Sequence, residues 1–164
     1  MPKITFDLPV KKHVRSFLES KFGNPCFIER REPEGKYFYA LLAKQSKGHD
    51  SEFAEYSSTI RVGLTISMHF RHGSIMTPTA VIEFNNYIDE HIKKEQRSYI
   101  HTQVTYNQME IKRAVELFQQ DYGFQEDDYA AETIRKDYYR WILKLKKDGK
   151  EPASPLYKLL SHAA

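Results

Sequence analysis

The clearest pattern in the chain is the alternation across residues 59–70, TIRVGLTISMHF. Ile60, Val62, Leu64, Ile66, Met68 and Phe70 fall on one side of an extended chain, with Arg61, Gly63, Thr65, Ser67 and His69 on the other. This period of two predicts a long strand with one covered and one wetter face. Residues 3–8, KITFDL, alternate in the same way through Ile4, Phe6 and Leu8, and Pro9 is expected to end that strand. CFIERR (26–31) and KYFYALLAK (36–44) read as further strands separated by a turn at EPEG (32–35), and the polar run 45–58 reads as a surface loop.

Helical periodicity takes over elsewhere. Val10, Val14, Phe17, Leu18 and Phe22 recur at helical spacing before Gly23, a stop signal. Thr77 followed by Pro78 predicts a helix start, and Val81, Phe84 or Asn85, Ile88, Ile92 and Tyr99 give its stripe. The β-branched run HTQVTY (101–106) predicts a break, and Asn107 with Glu110 suggests a capping box for the next helix. Ile111, Ala114, Val115, Phe118 and Tyr122 form that helix's apolar face, and Gly123 closes it. Glu126, Asp127 and Asp128 precede a last helix, whose positive dipole end they favour.

The expected order is βαβββ in the first 72 residues and helices thereafter. That is an α+β fold: an N-terminal mixed or antiparallel sheet with one helix, followed by a C-terminal helical region. The expected divisions are a sheet-rich lobe at 1–76, a helical lobe at 77–150, and a tail at 151–164 whose Leu156, Leu159 and Leu160 are expected to dock back.

Composition narrows the class. The 164 residues are 40% hydrophobic and 13% aromatic, which excludes a disordered polar tail. A single cysteine, Cys26, excludes an internal disulfide and is read as a small buried filler. The start, MPKITFDLPVKK, lacks the apolar run of a secretory signal, and no window approaches the ~18 apolar residues that span a bilayer. A cytoplasmic protein without membrane contact is expected.

Net charge is only +3, so its distribution matters more than its size. Residues 131–150 hold seven basic side chains and three acidic ones, Glu132, Asp137 and Asp148. On a helix, Ile134, Tyr138, Trp141, Ile142 and Leu145 share one apolar sector. Tyr138 and Trp141 are accordingly expected as core anchors with their polar tips at the rim. The opposite sector gathers Arg135, Lys136, Tyr139, Arg140, Lys144, Lys146 and Lys147. Arginine can grip guanine edges with two bonds, lysine can hold phosphates, and Tyr139 can reach a phosphate or stack on a base. The nucleic-acid-binding residues expected are therefore Arg135, Lys136, Tyr139, Arg140, Lys144 and Lys147. The plain alternative is the wet face of a surface helix.

The segment MEIKRAVELFQQDYGFQEDDYAAETIRKDYYRW (109–141) resembles, in outline, the helix-turn-helix DNA-binding arrangement and small proteins of phages and mobile elements. If Gly123 takes the place of that motif's turn glycine, Gln119 stands where a small residue is usual and Glu132 where an apolar one is usual. The resemblance implies a DNA-binding regulatory or accessory protein, with DNA as partner, and the strand at 59–70, if it lies at a sheet edge, offers a surface for a homodimer. The rival class is a protein-interaction or structural module, such as a virion component or an inhibitor of a host enzyme, using the 45–57 loop and the aromatic strands.

An enzyme is not expected. No phosphate-cradling glycine loop and no nucleophile elbow is present. His69 and His72 stand three apart and would face opposite sides of a strand, so a metal-dependent nuclease is the remotest class. No cofactor and no metal is expected.

Overall fold

The computed structural model describes residues 3–42 and 56–150. Residues 45–55 of the expected loop, and the tail at 151–164 with its leucine cluster, lie outside the described residues. The fold is α+β, with a two-stranded antiparallel sheet and helices near the N-terminus followed by a helical C-terminal region. The chain divides into two compact units, residues 1–90 and 91–164.

In the first unit, β1 (Lys3–Val10) pairs with β2 (Ser58–Thr65) from Lys3 opposite Thr65 to Val10 opposite Ser58. The register sets Ile4, Phe6 and Leu8 opposite Leu64, Val62 and Ile60, so both alternating apolar sets share one face. Pro9 does not end β1, which continues to Val10. Helix α1 (Lys12–Phe22) buries Val14, Phe17 and Leu18, as its spacing predicts, and Gly23 follows it. Buried Asn85 donates through Nδ2 to the Pro9 carbonyl (3.2 Å) and accepts from the Lys11 amide (2.9 Å), satisfying backbone groups where β1 gives way to α1.

Three further expectations for this region fail. The described part of KYFYALLAK is not a strand, because Pro33–Leu41 forms helix α2, and residues 43 and 44 lie outside the described residues. Pro33 opens the helix, where its missing N–H costs nothing, and burial of Glu34, Gly35, Phe38 and Tyr39 follows helical spacing. Residues 26–31 are not a strand either: Cys26 makes an isolated bridge to Val62. The alternation at 59–70 does not extend to Phe70, since β2 stops at Thr65 and Ile66–His72 coils into α3. The Thr65 hydroxyl accepts from the Met68 amide (3.2 Å), a local cap that diverts the chain from the ladder. Ile66 and Phe70 are exposed as a result, Phe70 at 72%.

Helix α4 (Pro78–Tyr106) starts as expected, with the Thr77 hydroxyl accepting from the Ala80 amide (3.2 Å). It contributes Val81, Phe84 and Ile88 to the first unit's core and Ile92 and Ile100 to the second's. The expected break at 101–106 is absent. Thr102 donates back to the Ser98 carbonyl (2.7 Å), so its hydroxyl is accommodated within the helix. Helix α5 (Ile111–Tyr122) begins after Glu110, and no side-chain cap forms there. Asn107 instead donates to Gln103 (2.6 Å). Gly123 ends α5 with φ 67° and ψ 24°, a left-handed stop. Helix α6 spans Ala131–Lys147.

Candidate nucleic-acid interface

The apolar sector assigned to α6 is its inner side. Ile134 and Tyr138 are buried, and Trp141, Ile142 and Leu145 are half-buried. Trp141 lies edge-on to His101, with ring centres 5.8 Å apart, and 5.9 Å from Tyr138. Burial lowers the His101 pKa and raises that of Tyr138, so at neutral pH this side of α6 favours uncharged rings.

Gln96, wholly buried on α4, holds α6 in place. Its Oε1 accepts from the Tyr129 hydroxyl (2.5 Å), and its Nε2 donates to the Ile134 carbonyl (3.3 Å) and to Asp137 (3.0 Å). Arg97 grips Asp137 through two nitrogens, at 2.8 and 2.6 Å. That forked pair satisfies the one carboxylate on the inner side of α6. At the helix entrance, the Glu126 carboxylate accepts from the Ala131 amide (3.2 and 3.0 Å) and from Gln119 (3.1 Å), and these bonds lower its pKa.

The outer side is where the six expected contact residues lie, and they divide into two groups. Arg135 and Lys136, near the N-terminal end, share the Glu132 carboxylate, Lys136 at 3.5 Å. Arg140, Lys144 and Lys147 are exposed and make no ion pair among the described residues. Over the seven residue steps from Arg140 to Lys147 the helix rises about 10 Å, close to three nucleotide steps along one strand of a duplex. Tyr139 is 48% exposed at the boundary of this basic face.

Sequence reasoning missed the neighbouring groove. A hollow of about 590 Å³ is walled by Tyr138, Tyr139, Ile142 and Leu143, with Lys146 and Lys150 also lining it. Leu143 is 66% exposed. Its place opposite Ile134 on the helical wheel was the available signal. His69 and His72, considered for metal chemistry, both lie on α3, and the His72 ring rests 5.3 Å from that of Tyr39. Among the described residues, no group of three or more His, Cys, Asp or Glu side chains is placed to hold a metal ion. No helix of the described chain is long and apolar enough to cross a membrane.

No protein-family model, curated protein or solved structure matches this chain.

Proposed function

We propose that this chain is a DNA-binding regulatory or accessory protein, of the kind phages and mobile elements carry, which holds the phosphate backbone through the C-terminal half of α6. The observation carrying this reading is the group Arg140, Lys144 and Lys147, exposed and without an acidic partner among the described residues. A helix anchored from behind by Tyr138 and Gln96 presents those charges together. Exposed Tyr139 beside them adds a surface on which a base can stack.

The N-terminal end of α6 supports a narrower role than that of a base-reading recognition helix. Such a helix contacts base edges with its first turns. Here those turns carry Glu132, and Glu126, Asp127 and Asp128 precede them, which disfavours close approach to phosphate. Arg140, Lys144 and Lys147 supply contacts that position DNA without reading its sequence.

Titration of a DNA duplex at several salt concentrations tests the reading. Replacing Arg140, Lys144 and Lys147 together by Ala should weaken binding and flatten the slope of log affinity against log salt by about 2–3 units, close to one per lost phosphate contact. Arg135→Ala should have a smaller effect, because that guanidinium is already paired with Glu132. Unchanged affinity and slope in the triple variant would sink the assignment. The protein-interaction reading would then gain ground, favoured by the groove beside exposed Leu143. The proposed dimer through 59–70 would have to use a strand that ends at Thr65 and already bonds Cys26 through the Arg61 carbonyl (2.7 Å) and the Gly63 amide (2.9 Å). Molecular mass in solution tests it.

A further inference from the structure

The first unit has its own concentration of positive charge, unrelated to α6. A hollow of about 420 Å³ is lined by Arg30, by Lys36 and Tyr39 of α2, and by Arg71 and His72 at the end of α3. The remaining lining residues are Ala40 and Leu42, so among the described residues no carboxylate lines it. Arg30, Lys36 and Arg71 have no ion-pair partner among the described residues.

Of the acids close in sequence to these cations, Glu32 is not part of the lining, and two others are paired elsewhere. Glu29 pairs with Arg31 (2.5 Å), and buried Glu34 pairs with Lys21 (2.7 Å). One wall is braced from behind: the Tyr39 hydroxyl donates to the Ile28 carbonyl (3.1 Å), and its ring lies 5.3 Å from that of His72. Cations from three separate segments thus line one concavity, and no carboxylate among the described residues lines it with them. A cleft lined by one sign of charge concentrates the opposite ion.

The geometry points to a phosphoryl-binding site in this hollow, with Arg30 and Arg71 on the phosphate oxygens and Lys36 adding a third charge. Two guanidiniums suit the oxygens of a phosphate, which their planar forks meet with paired bonds. The volume exceeds the need of a bare ion and admits the group esterified to phosphate. The ligand class is therefore a phosphate ester or oligophosphate, either free or at the end of a nucleic-acid strand. The site stands independently of the DNA reading of α6.

Calorimetric titration of the full chain with inorganic pyrophosphate tests the site. Arg30→Gln and Arg71→Gln should each weaken binding about tenfold. Arg31→Gln, which removes a neighbouring cation outside the hollow, should change it less than about twofold. Thermal melts of each variant establish that it is folded. Absence of binding by the parent chain at about 10 mM pyrophosphate, or equal weakening by Arg31→Gln, overturns the proposal. A second arm compares an oligonucleotide bearing a 5′-phosphate with its 5′-hydroxyl form, in the Arg140, Lys144 and Lys147 triple-alanine variant. Preference for the phosphorylated end, lost on Arg71→Gln, identifies a strand terminus as the source. Pyrophosphate binding without that preference identifies a free phosphate ester. If the triple variant loses duplex binding but keeps pyrophosphate affinity, the two sites are separate. If duplex binding is insensitive to the triple change while Arg71→Gln still abolishes pyrophosphate binding, only the α6 reading fails.

Discussion

Glu126 shows how a residue outside a helix can set its entrance. The residue next to the helix, Ala130, has no side-chain oxygen to offer, and the carboxylate five residues before Ala131 takes that amide instead. Its folded pKa is lowered, first by the backbone bond to Ala131 and next by Gln119. A carboxylate whose folded pKa is depressed contributes stability that is fully present above its unfolded value, about 4.3 for glutamate, and lost as pH falls through the folded value. Glu126→Gln should therefore lower the melting temperature of the second unit near neutral pH, and the difference from the parent should shrink as pH drops below about 4. A difference that stayed constant from pH 7 to pH 3 would place the effect in packing. Gln96 is a second residue whose role only the structure makes plain. Its spacing of four from Ile92 and from Ile100 was legible, but its three partners come from sequence 33 to 41 positions away.

The two strands depend on each other and on a single glycine. A side-chain carbon on Gly63 would stand 2.0 Å from the Phe27 ring, which lies across β2 at that point. Gly63→Val should destabilise the first unit by about 1–3 kcal/mol, the range for forcing extra carbons into a packed site. Chemical denaturation followed by circular dichroism measures this, and a loss well below 1 kcal/mol would mean that the Phe27 ring moves aside freely. The alternation of Ile60, Val62 and Leu64 made β2 legible, as helical spacing did α1 and the inner side of α6, and the Thr77–Pro78 cap did the start of α4. What was not legible had local causes. A threonine cap at Thr65 ended a pattern that Ile66, Met68 and Phe70 continue by composition alone. The aromatic run 37–39 looks strand-forming, yet Pro33 and the burial of Phe38 and Tyr39 make it helical. The basic face of α6 was legible as a face. Its division into a paired half at Arg135 and Lys136 and an unpaired half from Arg140 onward depends on Asp137, three residues before Arg140, being held instead by Arg97, 40 positions away in sequence. The Arg30, Lys36 and Arg71 hollow joins segments 41 residues apart and left no sequence signature.

Across the whole chain, the excess of positive charge belongs to one segment. Residues 131–150 hold 7 of the 25 basic and 3 of the 22 acidic side chains, leaving 18 basic and 19 acidic elsewhere, close to balance. Any polyanion drawn to the molecule at long range is therefore drawn chiefly toward α6, and salt should weaken that attraction steeply. The buried thiol of Cys26 has a further consequence. Burial, with a smaller push from Glu19, raises its pKa to about 12, so it should resist alkylation until the first unit opens. The sole tryptophan, Trp141, belongs to the second unit. The chain thus carries two native reporters, a sulfur for one half and an indole for the other. Iodoacetamide uptake and fluorescence, read in one sample, should respond differently to Gly63→Val: thiol labelling should accelerate while the emission spectrum in buffer holds.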